Sequence, residues 1–342
     1  MKTIAFCGGG TAGHVMPNLA LIHELQNEFN CVYIGGDGME EGLCRARGIP
    51  FYSIKTVKLR RDAIFKNLAV PFKLSACVRS AKKALKAIEP HLVFSKGGYA
   101  ALPVVLAAKN IPVLSHESDF SPGLATKLSK KHSRMVLCAF EPCAERFKNG
   151  KHCGTPLNPT LYSGKRDASF YGLDGKKPIL AVVGGSSGAQ TVNDCTAKAL
   201  PDLLKHFQII HVVGKNKRGG QKQLGYCPVE FEDNMPRLYA TSDIVITRAG
   251  ANALAECIAL KKPTLAVPLE KASRGDQVQN AQYFAQKGAI KVLHEGDMTP
   301  VTLTSATLGL YNSRTKYTAA AAKLQVDGTK QICDIIKEML SE

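Results

Sequence analysis

A chain of 342 residues with 45% hydrophobic content is long enough for two domains of roughly 150 to 170 residues, each with its own core. No apolar stretch reaches the roughly 18 residues that cross a bilayer, no leader-like segment precedes the first apolar run, and the 11 cysteines form neither a CxxC pair nor a zinc-type Cys/His cluster. This argues against a membrane-spanning, secreted or zinc-bound chain and for free thiols in a reducing cytoplasm. The net charge of +17 is concentrated in residues 1–155, which carry +11 of it, and it implies an anionic partner: nucleic acid, a membrane surface or an anionic substrate.

The first apolar run, residues 3–7, reads as a strand. It ends in GGGTAGHVMP, residues 8–17, ahead of a helix-like segment at 18–27. A glycine-rich turn between strand and helix gathers backbone N–H groups at the positive end of the helix dipole, which makes an anion site. Gly8, Gly10 and Gly13 spell a dinucleotide fingerprint, with Asp37 after the next apolar run, 31–34, as its ribose-binding acid. His14 lies outside that fingerprint. A histidine at a helix N-terminus is biased toward the neutral imidazole that accepts a proton, so it reads either as a base at the mouth of a site or as a packing or capping residue.

Apolar runs at 51–54, 91–94, 113–115 and 135–138 then alternate with helical segments at 65–88, from Ala101 and from Pro122. Such alternation predicts a parallel sheet with helices on both faces and ligands at the carboxyl ends of the strands. The loops 95–99 (SKGGY, with Tyr99) and 116–119 (HESD) follow such ends. His116 and Glu117 stand where a catalytic base or its orienting carboxylate belongs, and Asp119 is a further candidate base; the alternative is a capped turn ahead of Pro122. Residues 55–89 carry a net +8, with Lys82, Lys83 and Lys86 among the cations and Ile64, Phe65 and Leu68 among the interleaved apolar residues. That mixture suits a face that meets anionic lipid, or a solvated basic helix over a buried apolar side. Two aromatics and no reader motif argue against nucleic acid.

Residues 148–177 lapse into Gly, Pro, Asn, Lys and Ser and read as the connection between domains. The alternation restarts with a strand at 178–183, the loop GGSSG at 184–188 and a helix to about Lys205, followed by apolar runs at 208–213, 244–247 and 264–267. The second half therefore repeats the first. Ser186 and its loop amides form a phosphate site, with Asn193 farther along the helix, unless the glycines serve only tight packing. Arg248 leads into a helix that opens at Ala251 and Asn252 and carries Glu256 in its second turn. A helix start beside an arginine suits a diphosphate, and Glu256 is placed to accept two ribose hydroxyls, although acids are common early in helices. Gln277 and Asn280, three residues apart on one helical face, offer two amides to a sugar. The last segment, 328–340, is a helix with Ile332, Ile335, Ile336 and Met339 on one side, able to return to the first domain.

GGGTAGHVMP, SKGGYAALP, HESDFSPGLA, GGSSGAQTVN, TRAGANALAE and RGDQVQNA, in this order over nearly the whole chain, resemble the MurG family of N-acetylglucosamine transferases, glycosyltransferase family 28. The resemblance implies an α/β GT-B fold of two Rossmann-like doubly wound domains facing a cleft, here 1–155 and 156–325, with a C-terminal helix at 326–342. It implies inverting transfer of GlcNAc from UDP-GlcNAc to the C4 hydroxyl of lipid I, giving lipid II and UDP, with no metal and no cofactor, by a protein peripheral to the cytoplasmic face of an anionic bacterial membrane. By position it assigns the diphosphate to Ser186 and the amides near Ala251, with Asn193 and Asn252 among the further substrate-binding candidates. The ribose goes to Glu256, the uracil to the backbone around Glu232, and the sugar to Gln277 and Asn280. Thr11, Ala12 and Gly13 would touch the donor from the first domain, and His14, Tyr99, His116, Glu117 and Asp119 would surround the acceptor.

The chain departs from the family pattern in three places. Ala12 replaces a glycine, Asp119 replaces a common asparagine and gains standing as a base, and Asn158 replaces an arginine, so that one cation at the diphosphate is either missing or supplied by Arg248. A diacylglycerol glycosyltransferase of the same fold fits the donor motifs as well. A NAD-dependent dehydrogenase leaves the second-domain motifs unused, and a basic membrane scaffold predicts no role for Glu256.

Overall fold

In the first of two units the chain runs β1 (Thr3–Cys7), α1 (Ala12–Leu25), β2 (Asn30–Gly35), α2 (Met39–Arg45), β3 (Phe51–Ser53), α3 (Val70–Ile88), β4 (Leu92–Ser95), α4 (Ala101–Ala107), β5 (Val113–Glu117), α5 (Leu124–Ser129), β6 (Met135–Cys138), α6 (Glu141–Ala144) and β7 (Gly150–His152). The structure is a computed structural model that describes residues 1–57, 70–185, 188–270 and 275–341. The strands form a parallel sheet in the order β3-β2-β1-β4-β5-β6-β7.

Period-two alternation in β1 explains why this sheet is covered on both faces. Ile4 and Phe6 pack with Val15, Leu19 and Ile22 of α1, while Ala5 and Cys7 pack with Ala81 and Leu85 of α3 and with Val104 and Val105 of α4. Each large side chain so buried contributes about 1.5–3 kcal/mol.

The second unit runs β8 (Ile179–Val183), α7 (Gln190–His206), β9 (Gln208–Val212), β10 (Tyr226–Val229), α8 (Met235–Thr241), β11 (Ile244–Thr247), α9 (Ala251–Ala259), β12 (Thr264–Ala266), α10 (Asp276–Gln286), β13 (Lys291–Val292), α11 (Pro300–Asn312) and α12 (Arg314–Ala321). Its sheet is again parallel, ordered β10-β9-β8-β11-β12-β13. In each sheet the order reverses once, beside β1 and β4 in the first and beside β8 and β11 in the second. Crevices outside the carboxyl ends at such reversals are where doubly wound sheets bind ligands.

The last helix, α13 (Thr329–Ser341), packs in the first unit, which comprises Met1–Asn158 and Asp327–Glu342; the second is Pro159–Val326. Ile332, Ile335, Ile336 and Leu340 join the core under β1. Its start is fastened at Thr329, whose Oγ1 accepts from Leu157 N at 2.8 Å and lies 2.9 Å from Leu157 O. All eleven cysteines are free and buried.

Several local expectations change. The helix expected from residue 18 starts at Ala12, so Ala12, Gly13 and His14 form its first turn and Pro17 lies inside it, forgoing only the bond to the Gly13 carbonyl. The strand expected to stop at 115 extends through His116 and Glu117. The connection at 148–177 contains β7, a short polar edge strand with no hydrophobic alternation to announce it. Strand β10 was hidden by Pro228, which an edge position tolerates.

Candidate functional site

In the first unit the loops after β1, β4 and β5 interlock. Gly10 (φ +86°) and Gly98 (φ +79°) adopt left-handed backbone, and a Cβ at Gly10 would strike the Tyr99 ring while one at Gly98 would come within 2.8 Å of the Gly9 carbonyl. Behind the glycine loop, Asn18 Nδ2 donates to Cys7 O and to Tyr33 Oη, both at 3.2 Å, and Tyr33 Oη donates to Gly8 O at 3.1 Å. Glu40, 1% exposed, accepts from Gly36 N at 3.3 Å and Gly10 N at 3.5 Å. Burial and the Glu40 charge push the Tyr99 hydroxyl above its ordinary range. His14 is half-buried, with Nδ1 2.9 Å from Thr11 Oγ1.

His116 and Glu117 hold supporting places rather than exposed ones. His116 is 1% exposed and its Nε2 lies 2.9 Å from the Gly154 carbonyl, so that nitrogen carries the proton and Nδ1 is an unpartnered buried acceptor. Burial, with the Lys96 charge adding to it, keeps this imidazole well below its usual pKa. Glu117 accepts from Thr126 Oγ1 at 2.6 Å, Gly123 N at 2.8 Å and Asp119 N at 3.2 Å, the geometry of a capped turn. Burial and the Asp119 charge raise its pKa against the pull of those donors. Asp119 remains half-buried at the turn, and Asn158 is half-buried at the end of the unit's main segment.

In the second unit, Ser186 lies outside the described residues. Asn193, expected to meet the substrate, is wholly buried: its Nδ2 donates to Val213 O at 2.9 Å and its Oδ1 lies 3.0 Å from His211 Nε2, while His211 Nδ1 lies 2.9 Å from Tyr226 Oη. Its amide therefore serves the core. Arg248, likewise expected at the diphosphate, pairs with Glu295 at 2.6 Å and donates to Thr191 Oγ1 at 2.8 Å and Val267 O at 3.2 Å. It ties the ends of β11 and β12 to α7.

The N-cap of α9 is Gly250, which has no side chain to bond the first amides, those of Ala251 and Asn252 among them, so the helix start after β11 presents backbone N–H groups at the strand end. Glu256 sits one turn farther in; burial pushes it up to about 7, against the lowering effect of the Tyr239 hydroxyl at 2.9 Å. Gln277 Oε1 accepts from Leu269 N at 2.9 Å, and Asn280 Nδ2 donates to Ala249 O at 3.3 Å, so their shared face braces the ends of β12 and β11. Glu232 accepts from Tyr171 Oη at 2.7 Å, Asn234 N at 2.8 Å and Arg237 at 3.2 Å, leaving the neighbouring backbone and the exposed Phe231 ring at the surface.

Among the described part of the basic run, Cys77, Ala81 and Leu85 face the core and Lys73, Arg79, Lys82, Lys83 and Lys86 face outward. Residues 58–69, with Ile64, Phe65 and Leu68, lie outside the described residues. Sequence reasoning missed Lys96, Glu40 and the exposed pair Leu124 (46%) and Leu128 (49%), one turn apart on α5 with Lys127 between them.

The glycosyltransferase family 28 N-terminal domain matches residues 4–137 and the family's C-terminal domain matches residues 179–339. The chain is 44% identical, over 99% of each chain, to the UDP-N-acetylglucosamine--N-acetylmuramyl-(pentapeptide) pyrophosphoryl-undecaprenol N-acetylglucosamine transferase of Lachnospira eligens. It is 42% identical, again over 99% of each, to the protein of the same name in Lachnoclostridium phytofermentans. Among solved structures it resembles Acinetobacter baumannii MurG with a TM-score of 0.78 at 28% identity, covering 99% of this chain and 100% of that one. The kitacinnamycin glycosyltransferase, at 16% identity over 98% of each chain and a TM-score of 0.77, shares the fold.

Proposed function

The chain belongs to glycosyltransferase family 28, and from that premise we propose that it transfers N-acetylglucosamine from UDP-N-acetylglucosamine to the C4 hydroxyl of the muramyl sugar of lipid I, forming lipid II and UDP in peptidoglycan synthesis. The observation that carries this reading is the 44% identity, end to end, with a relative whose name states that transfer.

The donor is assigned to the second unit. The start of α9 at Gly250 and the residues after β8 receive the diphosphate, Glu256 takes the ribose hydroxyls, the backbone beside Glu232 takes the uracil, and the start of α10 takes the sugar. Arg248, held by Glu295, acts by fixing those strand ends. The acceptor is assigned to the first unit, where Tyr99, Asp119 and the glycine loop surround it. His14 serves as the base, since His116 is enclosed and Glu117 is occupied by its turn. The reaction is a single displacement: the acceptor O4 bonds to C1 of GlcNAc as the bond from C1 to the β-phosphate oxygen breaks. The O4 proton passes to His14 Nε2, and the negative charge left on UDP is met by backbone amides and helix dipoles.

No described helix is long and apolar enough to cross a membrane. Attachment at the cytoplasmic membrane face is assigned to the lysine-rich side of α3 and to Leu124 and Leu128 beside Lys127 of α5, a pairing of apolar and cationic groups that suits anionic lipid. Incubating the purified chain with UDP-GlcNAc and either lipid I or diacylglycerol tests the assignment. Transfer to lipid I alone is expected; transfer to diacylglycerol alone would replace this reading with that of a glycolipid synthase.

A further inference from the structure

Lys96, directly after β4, is a charged group that the scheme above does not use. Only 2% of it is exposed, an unusual position for an ammonium. Its Nζ donates to Ser118 Oγ in the turn after β5, the same turn that carries Glu117 and Asp119. Its stem runs beside the glycine loop, where a Cβ on Gly8 would come within 3.3 Å of Lys96 Cβ. Lys96 therefore connects the three strand-end loops that form the acceptor half of the site.

Burial lowers the Lys96 ammonium to about 8, and Glu117 and Asp119 keep it from falling further; Lys96 acts in turn on His116. Two carboxylates within three residues of each other in a partly enclosed turn repel, and the Asp119 charge does raise Glu117. A buried cation bonded to Ser118, between the two, offsets that repulsion.

We propose that Lys96 is a positioning residue for the acceptor, the buried counter-charge that holds the Glu117–Asp119 turn in place against the glycine loop. It touches no substrate and acts through the carboxylates and Ser118. The rate readouts below rest on the transferase reading.

Lys96→Met keeps the stem and removes the charge, whereas Lys96→Arg keeps the charge. With lipid I, Lys96→Met lowers kcat/KM by at least about tenfold at pH 7 and moves the acid limb of the pH–rate profile upward, because carboxylates that lose a nearby cation bind protons more readily. Lys96→Arg preserves the acid limb and extends activity above pH 8, where the lysine discharges. A folded Lys96→Met protein that binds UDP-GlcNAc normally and keeps the wild-type pH profile would overturn the proposal.

A second measurement needs no turnover. In protein labelled with 13C at lysine Cε, the resonance that Lys96→Arg removes titrates near pH 8 in the wild type and at lower pH in Asp119→Asn, which has lost a stabilising charge. Titration at the ordinary lysine pKa, or no change in Asp119→Asn, counts against the counter-charge role. Absence of transfer to lipid I by the wild type would sink the functional reading and leave this titration to decide on Lys96.

Discussion

The Tyr239 hydroxyl donates to Glu256 Oε2 at 2.9 Å and holds a half-buried carboxylate in the second turn of α9, where desolvation raises its pKa to about 7. A carboxylate whose folded pKa lies above its unfolded value binds extra protons in the native state, so its effect on stability favours the acidic side of the window from about 4.5 to 7 and is lost as pH rises through 7. Ribose recognition runs the other way, because the ionised form is the stronger acceptor for two hydroxyls. Affinity for UDP-GlcNAc should therefore fall by up to about tenfold between pH 8 and pH 6, following the ionised fraction. Glu256→Gln should bind more weakly at pH 8 and show a flat pH dependence by calorimetry. A wild-type affinity that does not change over this range would remove Glu256 from the ribose site.

His14 stands in the first turn of α1 with Nδ1 against Thr11 Oγ1, which leaves the assignment of its proton to that hydroxyl's orientation. As the base, its loss should cost about 10²- to 10⁴-fold in kcat while UDP-GlcNAc binding is kept. His14→Ala assayed with lipid I, with EDTA present, measures both this and the metal-free character of the reaction. Thr11→Val should lower kcat less, about tenfold, because it frees the ring without removing it. Turnover by His14→Ala at the wild-type rate would return the base to Asp119.

Asn193 separates a structural role from a substrate role. Both ends of its amide are used inside the core, on Val213 O and His211. Removing it leaves a buried carbonyl and imidazole unpaired, at a cost of about 1–3 kcal/mol. Asn193→Ala should show a lower Tm and an unchanged KM for UDP-GlcNAc. A raised KM at unchanged stability would restore its place among the donor contacts.

The strand-end motifs were legible because each is local: a run of apolar residues, a glycine turn and a helix start follow one another in the chain. What was not legible depends on sheet order. Lys96 is only the second residue of the SKGGY loop until β4 and β5 are adjacent and its ammonium reaches Ser118. Arg248 was recognised as a cation at a helix start, but its partner Glu295 lies 47 residues away, and only the fold shows that the cation is already engaged. Glu256 was found by its position early in a helix, while its raised pKa comes from desolvation in the fold, against the lowering pull of the Tyr239 hydroxyl. The edge strands β7 and β10 escaped because a strand with one neighbour needs less apolar alternation than a central one.

Membrane attachment divides into a charge component and an apolar component that respond differently to salt. Lys82, Lys83 and Lys86 lie on the exposed side of α3, over a face in which Ala81 and Leu85 are buried, so their contribution is electrostatic. Near an anionic surface each lysine is worth about 1 kcal/mol, and losing three should reduce vesicle partitioning on the order of 100-fold at low salt, less within a shorter Debye length. Replacing all three by Glu should thus weaken binding to phosphatidylglycerol vesicles and leave activity on a soluble lipid I analogue unchanged. Leu124 and Leu128 contribute burial instead, so Leu124→Ser with Leu128→Ser should weaken binding by a factor that persists at 0.5 M salt. Vesicle binding that survives the lysine reversal at low salt would assign α3 to a solvated basic helix, with the membrane met elsewhere.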